Sequence, residues 1–175
     1  MRTQAKPVKV WDLPVRLFHW SLVACFAGAW LSSDDAEALH QWLGYGALGL
    51  IAFRLVWGFV GSHHARFANF VPRPGTLAAY VLLMLRRREP RYLGHNPAAA
   101  VMILFLIAMV AVIGTTGWLM TTDWGWGSDP LETIHEGAAE LALAAVGVHI
   151  CAAIYESLRH RENLVVAMIT GIKWR

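Results

Sequence analysis

Two histidines, His135 and His149, stand 14 residues apart within one apolar stretch of this chain. At about 100° per residue, 14 steps return to within roughly 40° of the starting direction, so both imidazoles fall on one face of a helix. The helical rise of about 1.5 Å per residue separates them by ~21 Å. The positions between them on that face are Ala138, Ala139, Ala142 and Val146, all small. A helix with a nitrogen ligand near each end and a cleared surface between has room for two flat ligands. Histidine within a membrane span is costly and marks function by default.

The elements that must position these residues are membrane helices. The 175 residues are 57% hydrophobic and only 15% charged, with mean hydropathy +0.44, too apolar for an ordinary soluble domain of this size. Four stretches approach the ~20 residues that cross a bilayer: Pro14–Leu31, Leu39–Val60, Pro97–Met120 and Thr133–Leu158. The first carries Arg16 and His19 near its start, but Trp20 and Trp30 within it suit a retained span better than a cleaved leader. The expected fold is an all-α, integral membrane four-helix bundle in a single domain, residues 1–175.

Charge orients it. Arg2, Lys6, Lys9 and Arg16 precede or open span 1; the basic residues from Arg54 to Arg91 surround the connection of spans 2 and 3; those from Arg159 to Arg175 follow span 4. The connections Ser32–Ala38 and Thr121–Glu132 hold none, and instead contain Asp34, Asp35, Glu37, Asp123, Asp129 and Glu132. The positive-inside rule makes the basic side cytoplasmic, with both termini inside, in a bacterial inner membrane. This asymmetry, facing anionic lipid, accounts for the sequence pI near 9.1 without nucleic acid. The long connection Gly61–Asn96 contains an apolar run, Gly75–Leu85, too short to span, with Arg86, Arg87 and Arg88 behind it. It reads as an interfacial helix, and Leu164–Arg175 as a second. Trp118, Trp124 and Trp126 suit an outer headgroup belt, or part of a docking surface for an external partner. Cys25 and Cys151 read as buried, inert thiols, and neither belongs to a C-x-x-C-H, which excludes covalent c-type haem attachment by pattern.

Of the eight histidines, His63, His64, His95 and His160 fall in cytoplasmic connections and read as exposed. Topology pairs the other four. Span 1 runs outward, placing His19 near the cytoplasmic surface; spans 2 and 4 start outside, placing His40 and His135 at the outer level and His149 at the inner. The depth-matched pairs are His19 with His149 and His40 with His135, each bridging two helices. Axial bis-imidazole coordination of haem iron needs this arrangement. On span 2, His40, Gly44, Ala47, Ile51 and Arg54 share one stripe, so Gly44 clears space below the ligand and Arg54 reaches the inner level. Arg54 and Arg16 are candidates to pair with haem propionates, or to snorkel to inner headgroups. Zinc or copper would want three or four converging ligands, whereas the pairs here are ~21 Å apart. A relay of unligated histidines, or a cofactor-free assembly protein, would leave the small-residue clearances unused. Glu136, Glu140 and Glu156 suit proton transfer beside a quinone, or simple interhelical contacts.

The segments VWDLPVRLFHW (10–20), HQWLGYG (40–46), RLVWGFVG (54–61), ARFANF (65–70) and GHNP (94–97), completed by His135 and His149, resemble the bacterial cytochrome b561 group, including the cytochrome b subunits of nickel–iron hydrogenases. The resemblance covers nearly the whole chain. It implies a four-helix membrane protein with two haem b groups ligated by His19, His40, His135 and His149. Hydrogenase cytochromes tend to be longer, with an additional span. The compact chain therefore suggests transfer between a quinone and a small periplasmic redox protein, such as a c-type cytochrome, docking by a basic face on the acidic outer connections. The alternatives are a superoxide oxidase passing electrons to quinone, for which those connections lack a cationic funnel, and a hydrogenase cytochrome subunit.

Overall fold

The computed structural model describes residues 6–174; Arg2 and Arg175, counted above among the basic residues, lie outside them. The element order is β1 (Pro7–Lys9), α1 (Leu13–Leu31), α2 (Glu37–Val60), α3 (Phe67–Phe70), α4 (Pro74–Leu85), α5 (Pro97–Met120), α6 (Asp129–Arg159), α7 (Leu164–Thr170) and β2 (Ile172–Trp174). Each expected span is a helix. Three of them, α2, α5 and α6, are long and apolar enough to cross a membrane. The fourth, α1, has 19 residues and is not among those three, consistent with Arg16 and His19 in its first turns.

Local chemistry starts and stops these helices. Asp12 accepts the Val15 N–H at 2.8 Å and Pro14 follows in the first turn of α1. Asn96 does the same for the Ala99 N–H at 2.7 Å, with Pro97 opening α5. Helix α6 has Asp129 and Glu132 in its first turn and Arg159 in its last, opposing the helix dipole at both ends. The apolar run expected at the interface forms α4, opened by Pro74.

The tail departs from expectation. Instead of one interfacial helix it is α7 followed by β2, because Gly171 takes φ +81° and stops the helix. Strand β2 pairs antiparallel with β1, placing Lys173 opposite Val8.

The chain packs as two compact units, residues 6–16, 57–103 and 148–174, and residues 17–56 and 104–147. The first unit centres on Val10, Trp11, Val15, Ala65 and Ala167. The Gly171 carbonyl accepts the N–H groups of Val10 and Trp11 at 2.8 and 3.1 Å, and a side chain at Gly171 would collide with the Trp11 carbonyl. The second unit buries Ala47, Ile51, Ile107, Val110 and Ala142. Cys25 is half-buried and Cys151 is exposed on α6, which corrects the expectation of two buried thiols: position 151 falls on the face of α6 opposite its packed stripe.

Candidate functional site

The second unit brings His40 and His135 together. Their ring centroids are 6.0 Å apart, at an interplanar angle of 64°. His40 Nδ1 lies 2.9 Å from the Ala29 carbonyl, and His135 Nδ1 lies 2.9 Å from the Ile113 carbonyl. A carbonyl oxygen can only accept, so each Nδ1 carries the proton and each Nε2 keeps its lone pair. Both rings are therefore held in the tautomer that ligates through Nε2, by the outer-shell contact that metal-bound histidines commonly use.

Space accompanies the ligands. A cleft partly open to its surroundings is lined by His40, Gly44, Gly114, Gly117, Trp118 and His135 among others. At Gly44 an added Cβ would meet nothing within 4 Å. At Gly117 it would sit 3.0 Å from His135 Cε1, so this glycine lets the imidazole lie against α5. The donor set fits haem: two neutral imidazoles, two metal–nitrogen bonds of about 2 Å each, and ring centres separated by close to what those bonds require. Among the described residues no three His, Cys, Asp or Glu side chains converge as a metal cluster.

The stripe expected on α2 exists. His40 and Gly44 line the pocket, while Ala47, Ile51 and Arg54 are 6%, 2% and 3% exposed. Arg54 is thus buried rather than spread at the surface. On α6, His135, Ala138, Ala139, Ala142, Val146 and His149 are buried or half-buried, and the intervening Glu136 and Glu140 are exposed. His19 belongs to the second unit and His149 to the first; both are half-buried. Arg16 gives one nitrogen to the Ile169 carbonyl at 2.8 Å, at the end of α7.

The rim of the second unit is acidic and aromatic. Asp34, Asp35, Glu37, Asp123, Asp129 and Glu132 are all exposed, as are Trp118, Trp124 and Trp126. Tyr45 donates to Thr121 Oγ1 at 3.0 Å, joining α2 to the connection that follows α5.

The other histidines correct the sequence reading. His63 is exposed, but His64, His95 and His160 are half-buried in the first unit. His95 packs against Trp11 and Phe70, with ring centroids 4.5 and 4.8 Å away. His160 lies 3.3 Å from Glu156, which also accepts from Tyr80. Burial, then His63 and Lys173, push the His64 imidazole below its usual range. These rings pack against neighbours that their place in the connections between helices did not reveal.

Sequence reasoning missed Thr116. It is 7% exposed, and its hydroxyl lies 3.1 Å from His135 Nδ1. The signal was present: Thr115 and Thr116 are the only hydroxyl residues in α5.

The family model described as prokaryotic cytochrome b561 matches residues 10–171. A protein of Azotobacter vinelandii named probable Ni/Fe-hydrogenase B-type cytochrome subunit is 27% identical over 213 aligned positions, covering 96% of this chain and 88% of that protein. Proteins with the same name from Rhodobacter capsulatus and Cupriavidus necator are 28% and 29% identical, covering 94% and 96% of this chain and 80% and 87% of their own lengths. These alignments run over more positions than this chain has residues, so the relatives carry inserted sequence. No solved structure matches.

Proposed function

The chain belongs to the prokaryotic cytochrome b561 family and is a membrane b-type cytochrome; from that premise we propose that it carries electrons across the bacterial inner membrane between the quinone pool and a periplasmic redox protein. The reading assigns it two haem b groups, one between His40 and His135 and one between His19 and His149. The observation that carries the reading is the His40–His135 pair, 6.0 Å between ring centroids, with both Nδ1 atoms committed to carbonyls.

Haem, when bound, supplies one-electron chemistry at its iron. The protein's own residues do the rest. His40 and His135 present Nε2 lone pairs in a fixed tautomer. Gly44 and Gly117 keep space beside them, and Ile51 and Val110 pack the interior against water. Arg54 and Arg16 are the cations this reading pairs with carboxylates of the bound group. The inner pair rests on matched depth in α1 and α6. The acidic rim attracts a partner with a basic face. Both termini lie on the cytoplasmic side in this reading, because the rim connections hold no Lys or Arg.

The relatives' printed names favour a second reading for the partner, a nickel–iron hydrogenase. Their inserted sequence is the feature this chain lacks, and it separates the two readings.

Haemochrome quantitation of the purified protein tests the proposal. Two haems b per chain are expected, and one in His149→Ala. One haem in the parent protein, or an unchanged count in the variant, overturns the pairing. Reduction by quinol in a nanodisc, and reoxidation by a basic c-type cytochrome in preference to an acidic one, is the expected electron path.

A further inference from the structure

His135 and His40 are not held alike. His40 Nδ1–H has one acceptor, the Ala29 carbonyl at 2.9 Å. His135 Nδ1–H has two within reach, the Ile113 carbonyl at 2.9 Å and Thr116 Oγ1 at 3.1 Å. A threonine hydroxyl has a single proton, and that of Thr116 points back into its own helix, with the Val112 carbonyl 2.8 Å and the Ile113 carbonyl 3.1 Å away. Its lone pair is what remains for the imidazole. The neighbouring Gly117 makes the approach possible, because a Cβ there would crowd His135 Cε1 at 3.0 Å and Nδ1 at 3.4 Å.

We infer that Thr116 is a positioning residue that sets the electron-donating strength of His135, and so the redox potential of the group His135 ligates. The inference rests on the haem reading of the His40–His135 pair. The chemistry is the outer-shell effect: an N–H that donates to an acceptor on one side of the ring makes the nitrogen on the other side more basic. A more basic ligand favours the oxidised, more positive iron. Thr116 is buried, so its hydroxyl is screened from bulk water and the contact is stronger than it would be at the surface. The asymmetry has a further consequence: the two axial ligands of one centre are inequivalent, with His135 the stronger donor.

The test compares Thr116→Val, which keeps the shape and removes the lone pair, with Thr116→Ser, which keeps the hydroxyl. Both are titrated potentiometrically, following the absorbance component that His40→Ala removes. In Thr116→Val the reduced-to-oxidised ratio at a fixed potential is expected to rise about tenfold, an upward shift of about 59 mV for a one-electron couple. Thr116→Ser is expected within about twofold of the parent, with its haem count unchanged. A Val variant at the parent potential, or a Ser variant shifted as far as Val, overturns the role of Thr116. A full haem complement in His40→Ala would instead overturn the haem assignment itself.

Discussion

The two units of this protein solve opposite problems. The first unit uses its charges and rings on one another. Lys173 is 3% exposed at its side chain, and its ammonium meets Glu162 at 2.8 Å and the Tyr92 carbonyl at 3.1 Å. Glu162 also receives Arg91 at 2.6 Å, and Arg91 reaches the Trp174 carbonyl at 2.7 Å. Glu89, with its side chain fully covered, takes Arg159 at 3.0 Å and Tyr155 at 3.3 Å. Asp12 caps the start of α1 and accepts the Trp57 indole N–H at 3.0 Å. The second unit keeps apolar walls, a glycine facing open space at position 44 and a pair of imidazoles whose Nδ1 atoms face backbone carbonyls. Burying a charge is tolerable only when it is paired, and Lys173, Glu162 and Glu89 each meet an opposite charge. The second unit instead gathers its histidine pair among glycines and apolar residues.

The comparison breaks most visibly at the ligands. His40→Ala or His135→Ala is expected to remove one haem entirely from the absorption spectrum, whereas Glu89→Gln in the first unit leaves the haem count unchanged. Equal losses from both changes would dissolve the distinction between the units.

Gly44 probes space rather than ligation. Its replacement by Ala meets no atom and is expected to raise the stability of the haem-free helix by about 0.5–1 kcal/mol. Gly44→Leu reaches into the pocket and is expected to lower haem content several-fold. Haem content equal to the parent's in the Leu variant would mean the cavity is not where the cofactor lies.

The first unit is sharpened through Lys173→Met. It leaves Glu162 with Arg91 alone, and the cost is about 3 kcal/mol, the lower end for breaking a buried pair. Hydrogen exchange at the β1–β2 amides should accelerate, while the Soret absorbance of the second unit stays in place. Unchanged exchange at Val8 would show that the tail is held by backbone pairing alone.

The smallest effect is in acid. Burial pushes the Glu162 carboxyl up, but Lys173 and Arg91 more than offset this and hold it below its usual range. Burial likewise opposes ionisation of Asp12, and Ser62, the Val15 N–H and Trp57 outweigh it. Carboxyls depressed in the folded state contribute stability above their unfolded values, near pH 4, and lose it as pH falls through the lower folded values. Protection of the β1 amides, meaning exchange corrected for its intrinsic dependence on pH, is therefore expected to fall below about pH 4. A loss of that protection on raising the pH from 5 to 8 would contradict this sign.

Much of this was legible in one dimension. The helices at 39–60 and 97–120, the interfacial run at 75–85 and the α2 stripe from His40 to Arg54 follow from hydropathy and the 3.6-residue period, which are local properties. Depth matching paired His40 with His135 because chain direction alternates between successive spans. Histidine exposure was not legible: His64 and His95 lie against Trp11 and Phe70, whose arrival depends on folding of distant segments, while His160 lies beside Glu156 one helical turn away. Nor was the strand at 172–174, since three residues carry no period and their pairing with 7–9 joins opposite ends of the chain.

The sequence alone therefore determined the membrane class, the helices and the histidines spaced along them, because each is written in residue type and spacing along one element. Tertiary structure alone decided which atoms orient the His40 and His135 rings. Ala29 and Ile113 act through backbone carbonyls that every residue type shares, and Thr116 acts through a hydroxyl that matters only because α5 and α6 bring it to 3.1 Å from His135.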